Sequence, residues 1–237
     1  MTFPVVIAGT SYASEAELRK DLVRRARHRI IDNPGQDSPA EHFYVESPFN
    51  GHTKLALQQV LTELVATTDD ARVMRLVLDL WQGWDVPSFY ESLVSRLESG
   101  VFSVADHPET GNMHCNAVER LCHYWLKGRE GLAARVRVVC RHHGHLDQLV
   151  VLLQQDDPEE ELISVLTERS EFGPMNKYAA CNIAFALLER PDQLLAAARA
   201  IQTQEVGLRE GFAEEVQHHR SEWYAVNEEA LLQALGL

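Results

Sequence analysis

The run Pro174-Met175-Asn176-Lys177-Tyr178-Ala179-Ala180-Cys181-Asn182-Ile183-Ala184-Phe185-Ala186-Leu187-Leu188-Glu189-Arg190 is opened by Gly173-Pro174 and closed by Pro191. Proline fits the first turn of a helix and cannot continue its interior, so the two prolines punctuate about four turns. Small residues (Ala179, Ala180, Cys181, Ala184, Ala186) alternate with large ones (Tyr178, Ile183, Phe185, Leu187, Leu188). Apolar groups therefore cover most of the helix circumference, the pattern of a buried helix with neighbours on more than one side.

Working outward, the same punctuation recurs. Residues 52–66, 70–82, 87–99, 112–127, 130–142 and 145–155 each carry apolar residues at spacings of three and four. Gly83, Ser99-Gly100, Gly128 and Gly144 stop them, and Thr67-Thr68-Asp69 and Pro87 start them. Asp157-Pro158-Glu159 opens a further helix to about residue 169; residues 192–202, 205–218 and 222–235 complete the set. At the other end, residues 2–10 read as a short strand or extended arm, with no convincing strand after them. Ser14 and Glu17 have the spacing of a capping box, and Asn33-Pro34-Gly35 ends the helix it opens. That helix carries Arg19, Lys20, Arg24, Arg25, Arg27 and Arg29, which fits pairing with the acidic C-terminal part in this chain or a second copy. Residues 32–51, with Phe43, Tyr44 and Phe49, read as a long loop packed down by its aromatics.

About eleven helices joined mostly by short loops imply antiparallel neighbours in an all-α fold. Two segments, Thr68-Asp69-Asp70-Ala71-Arg72-Val73-Met74-Arg75-Leu76-Val77 and Asn176-Lys177-Tyr178-Ala179-Ala180-Cys181-Asn182-Ile183-Ala184, resemble the second-helix pattern of HEAT-like repeats. The resemblance is loose and covers about half of residues 52–205. It implies stacked antiparallel helix pairs, a HEAT-like α-solenoid with a short N-terminal extended arm; an irregular multi-helix domain is the alternative. The whole of 1–237 reads as a single helical domain, with 1–51 as arm, basic helix and packed loop and 52–237 as the stack.

Charge narrows the function. The net charge is −13, but residues 1–150 hold 16 Lys/Arg against 19 Asp/Glu, while 151–237 hold 6 against 16. So acidic a C-terminal third repels nucleic acid and anionic membrane and steers in basic partners. Cys115, Cys122, Cys140 and Cys181 form no Cys-x-x-Cys pair and read as reduced thiols of a cytoplasmic protein. No apolar run approaches the roughly 20 residues of a membrane helix.

The motifs that carry chemistry are sparse. Cys140-Arg141-His142-His143-Gly144-His145, with His114, Cys115, Cys122 and His123 upstream, brings zinc to mind. The upstream cysteines lack zinc-site spacing, and histidines at a helix C-terminus answer its free carbonyls, so no metal and no cofactor is assigned. Trp81-Gln82-Gly83-Trp84-Asp85 has the elements with which a helical-repeat DNA glycosylase stacks a base and steadies a cationic sugar, but there is no basic groove to go with it. Phosphate-loop, Gly-x-Ser-x-Gly, His-Glu-x-x-His and kinase motifs are absent, and no catalytic residue is assigned.

Those features point to a protein-binding helical module that is not an enzyme. Its most specific form is a stoichiometric inhibitor of the bacterial immunity type, occluding the basic active-site cleft of a toxin or of another enzyme acting on nucleic acid or nucleotides. The resemblance to such inhibitors is one of charge and architecture. The expected contacts are Asp156, Asp157, Glu159, Glu160 and Glu161, with Trp84 and Asp85 as a second patch. The partner is a basic protein, with no direct nucleic acid and no membrane. A scaffold or adaptor is the alternative, and a glycosylase-like enzyme the next.

Overall fold

The computed structural model describes residues 3–32, 49, 51–102, 112–156, 165, 177–219 and 227–237. Among them the chain is mostly helical, with eleven α-helices and one two-stranded sheet. Contacts gather it into two compact units, Met1–Ala117 and Val118–Leu237.

The N-terminal unit begins with a correction. The expected arm is a hairpin: β1 (Val5–Ile7) pairs antiparallel with β2 (Thr10–Tyr12), Val5 opposite Tyr12 and Ile7 opposite Thr10. The two-residue turn has positive φ at both Ala8 (49°) and Gly9 (76°), as a type I′ turn requires. Three-residue strands leave too little alternation to read from sequence, and alanine is an unusual residue for that first turn position. Val5, Ile7 and Tyr12 face inward on α1 (Glu15–Asp32) and α2 (Gly51–Thr67), while Val6 and Ser11 face out.

The capping box forms with a variation. The Glu17 N–H donates to Ser14 Oγ at 3.3 Å, but the Glu17 carboxylate accepts from the Ala13 N–H at 2.7 Å rather than from Ser14. Four cations of α1 find carboxylates within the N-terminal unit. Arg19 pairs with Glu63, Arg24 and Arg25 with Asp21, and Arg27 with Asp70, all in the same unit. Burial alone would raise the carboxyl of Asp21, but hydrogen bonds from Arg25, Arg24 and the Tyr12 hydroxyl outweigh it and hold it at about 2. The same Tyr12 hydroxyl, buried and donating to Asp21, is pushed up to about 12.

Helix α3 (Ala71–Leu80) starts on Asp70, whose side chain accepts from the Arg72 N–H at 3.0 Å, one residue beyond the expected Thr67-Thr68-Asp69 cluster. Helix α4 (Pro87–Glu98) opens on its proline and ends at Ser99, as read. Helix α2 packs on α1, α3 and α4.

Helix α5 (Met113–Arg120) crosses the border between the units and runs into a π-helical turn, Leu121–Trp125, where the Leu126 N–H reaches back five residues to the Leu121 carbonyl. The C-terminal unit continues with α6 (Glu130–His143), α7 (Leu146–Asp156), α8 (Lys177–Ala186), α9 (Pro191–Ala200), α10 (Val206–His218) and α11 (Glu228–Leu235). The expected starts of the helices at 158–169 and 222–235 lie outside the described residues.

Helix α8 holds the run between the two prolines. Ala180, Ile183, Ala184, Leu187 and Leu188 are buried, and the helix packs on both α7 and α10. Phe185, read as core, is 53% exposed. The helix also ends early. Pro191 disfavours the α conformation at Arg190, which lies outside the helical region (φ −127°, ψ 73°), and the last turn tightens: the N–H groups of Leu188 and Arg190 reach only three residues back. Alternate helices meet in this unit, α8 with α10 and α9 with α11.

Candidate functional site

The tryptophan patch is core. Trp81 is 3% and Trp84 8% exposed. Trp81 stacks on Phe89 with centroids 3.5 Å apart and planes 2° from parallel, and Trp84 meets it edge-on at 5.1 Å. Phe49, from the long loop, closes on Trp84 at 6.2 Å. The polar edges are used as well: the Trp81 indole N–H donates to the Tyr90 hydroxyl (3.2 Å), which donates to the Trp84 carbonyl (2.8 Å). In this unit Asp85 is left at the surface while Trp84 is spent on packing. Of the acidic run, Asp156 ends α7, and Asp157, Glu159, Glu160 and Glu161 lie outside the described residues.

The histidine and cysteine residues separate by role. His114 is fully buried, with Nε2 3.1 Å from the Leu97 carbonyl at the end of α4. His142 and His143 end α6, and Gly144 follows in the left-handed conformation (φ 73°), its N–H bonded to the Cys140 carbonyl. His145 is 9% exposed; burial first, and the nearby His143 second, pull its imidazole down to about 4, so it is neutral at pH 7. All four cysteines are free thiols. Cys122 and Cys140 are both buried, and the hydrogen bond from one sulfur to the other, together with burial, raises the Cys140 thiol well above its ordinary range. Among the described residues no three His, Cys, Asp or Glu side chains converge as a metal ion would require.

Sequence reasoning passed over the π turn. It and the start of α6 border a cavity of about 530 Å³. Buried Cys122, Leu126 and Leu152 form its floor. Its rim carries His123, Tyr124, Lys127, Arg129 and Glu130. Tyr124 is 74% exposed, an aromatic ring laid open at the rim, with the His123 ring 5.8 Å away and tilted by 40°. Arg129 Nη1 donates to the Trp125 carbonyl at 2.8 Å, which fixes the guanidinium beside the cavity. Arg129 is also the N-cap of α6 and provides no side-chain cap.

The sequence held a signal for this region. Residues 120–143 contain Arg120, Lys127, Arg129, Arg135, Arg137 and Arg141 against a single carboxylate, Glu130. Halving the chain by net charge averages this basic island away. The π turn adds a second mark, since such turns recur where a helix is bent to a functional purpose.

No family model, no curated protein and no solved structure matches this chain. No helix among the described residues is long and apolar enough to cross a membrane.

Proposed function

We propose that the protein is a helical protein-binding module that recognises a basic protein partner through its acidic C-terminal third. The observation that carries the reading is the charge asymmetry: residues 151–237 hold 16 carboxylates against 6 cations. A field of that sign steers a basic partner and raises its rate of encounter. The scaffold adds support. Within each unit alternate helices pack on one another (α8 on α10, α9 on α11, α2 on α4), and an all-helical scaffold of this kind is suited to protein recognition.

The most specific form of the proposal is a stoichiometric inhibitor whose carboxylates at Asp156, Asp157, Glu159, Glu160 and Glu161 stand in for the phosphates expected by a basic active-site cleft. Asp85 offers a second, smaller acidic contact. The glycosylase-like reading needs an accessible indole, and with Trp81 and Trp84 both packed inward no observation favours it.

The test is capture of partners from the protein's own cell extract at low and moderate salt, with Glu159, Glu160 and Glu161 all changed to lysine in a parallel bait. One basic protein recovered near one-to-one, lost at higher salt and lost with the charge-reversed bait, is the expected result. Recovery that ignores the charge reversal places the interface elsewhere, and many weak partners favour an adaptor.

A further inference from the structure

We propose that the cavity at the π turn binds a small phosphomonoester carrying a planar ring and hydroxyl groups, a ligand of the nucleoside monophosphate class. The inference goes beyond the acidic-surface reading and does not depend on it.

Size comes first. About 530 Å³ falls inside the roughly 300–1,000 Å³ of small-ligand pockets, and the buried floor of Leu126 and Leu152 offers apolar contact. Charge comes second. Lys127 and Arg129 put an ammonium and a guanidinium on one rim, in a chain of net charge −13. Such a contrast needs a built local site, because the general field works against it.

The backbone adds donors to the same rim. Helix α6 begins there, and its first N–H groups precede the first intrahelical bond, from Ala133 to the Arg129 carbonyl. Gly128, which lines the cavity, carries no side chain, and a Cβ built there would meet nothing within 4 Å, so an anion can approach the backbone closely. A phosphate at this rim meets the ammonium of Lys127, the positive charge of the Arg129 guanidinium and the positive end of a helix.

The remaining rim residues select what the phosphate is attached to. Tyr124, beside His123, presents a ring face to solvent at the cavity edge, the platform on which a base stacks. Glu130 repels a second acid on the ligand and accepts from hydroxyl donors, as a ribose would supply.

The experiment is calorimetric titration of the full chain with AMP and with UMP, alongside inorganic phosphate alone and adenosine alone. Two variants, Lys127→Glu and Tyr124→Ala, alter exposed rim side chains, and their folding is checked by circular dichroism. Saturable one-to-one binding of at least one nucleotide is expected, weakened about tenfold or more by each substitution and by rising salt. Phosphate alone and adenosine alone are expected to bind about tenfold more weakly or worse. The proposal is overturned if neither nucleotide saturates by about 10 mM, if either substitution leaves the affinity unchanged, or if phosphate alone binds as tightly as the nucleotides.

Discussion

The described polar groups of the two units make different kinds of contact. In the N-terminal unit, charge is matched to charge: Asp21 accepts from Arg24, Arg25 and Tyr12, and Asp70 from Arg27 and Arg72. Its aromatic residues are interlocked in the same spirit, with Trp81 stacked on Phe89 and hydrogen-bonded to Tyr90. The described buried groups of the C-terminal unit include neutral, soft ones, a thiol against a thiol at Cys122 and Cys140 and an uncharged imidazole at His145. Among its described residues the most exposed aromatic, Tyr124, lies at a cavity with cations beside it. The first arrangement consumes its chemistry in holding the fold, and the second leaves chemistry at the surface.

The largest effect expected from this contrast is at Trp81. Trp81→Ala removes a stacked, fully packed ring and should cost about 3–5 kcal/mol, read as a lowered denaturation midpoint. A loss under about 1 kcal/mol would mean that the aromatic cluster contributes little to the N-terminal unit.

Acid should separate the units next. His145 is held at about 4 in the fold, below its ordinary 6.5, so the folded state favours the neutral ring. Its contribution is complete above about 6.5 and is lost as pH falls toward 4, a loss on the order of 2 kcal/mol. Asp21 and Asp70, depressed from 3.8 to about 2, keep theirs until the pH drops below about 4. Hydrogen exchange followed from pH 7 to 4.5 should therefore show protection falling first in α6 and α7. Parallel loss in both units, or an unchanged profile in His145→Gln, would break the contrast.

A smaller effect belongs to the ion-pair network. Asp21→Asn removes the charged acceptor shared by two arginines and a tyrosine and should cost about 1–2 kcal/mol in the melting of the N-terminal unit. Smallest of all is Tyr124→Ala, within about 0.5 kcal/mol of the parent in a denaturant titration, because its ring is out in solvent.

The helical framework was legible because its punctuation is local. Pro87, Ser99 and Gly144 fix where chains of i→i−4 bonds start and stop, while four residues separate the end of α8 from Pro191, which opens α9. What escaped depended on longer range or on a single extra residue. The hairpin at Val5–Tyr12 is too short to show a period, and the apolar residues of the 112–127 run satisfy an α-helix as well as a π turn. Trp84 read as a surface anchor because its sequence neighbours Gly83 and Asp85 are those of a loop; Phe49 and Trp81, which bury it, come from elsewhere in the fold. Cys122 and Cys140, eighteen residues apart, meet through the tertiary fold, which no spacing rule foretells. The acidic contacts at 157 and 159–161 lie outside the described residues, so their arrangement stays with the charge argument alone.

A π turn is an α-helix that accommodates one residue too many. From Leu126 onward the chain is out of phase with α5 by about 100°, the angular share of one residue. Deleting one residue between 121 and 125, His123 for instance, would let the bonding heal into a continuous α-helix. It would also swing Lys127 and Arg129 about a quarter-turn away from where they now stand. The composition of the rim would be almost unchanged and its geometry gone, so the cavity depends on a count of residues as much as on their identity.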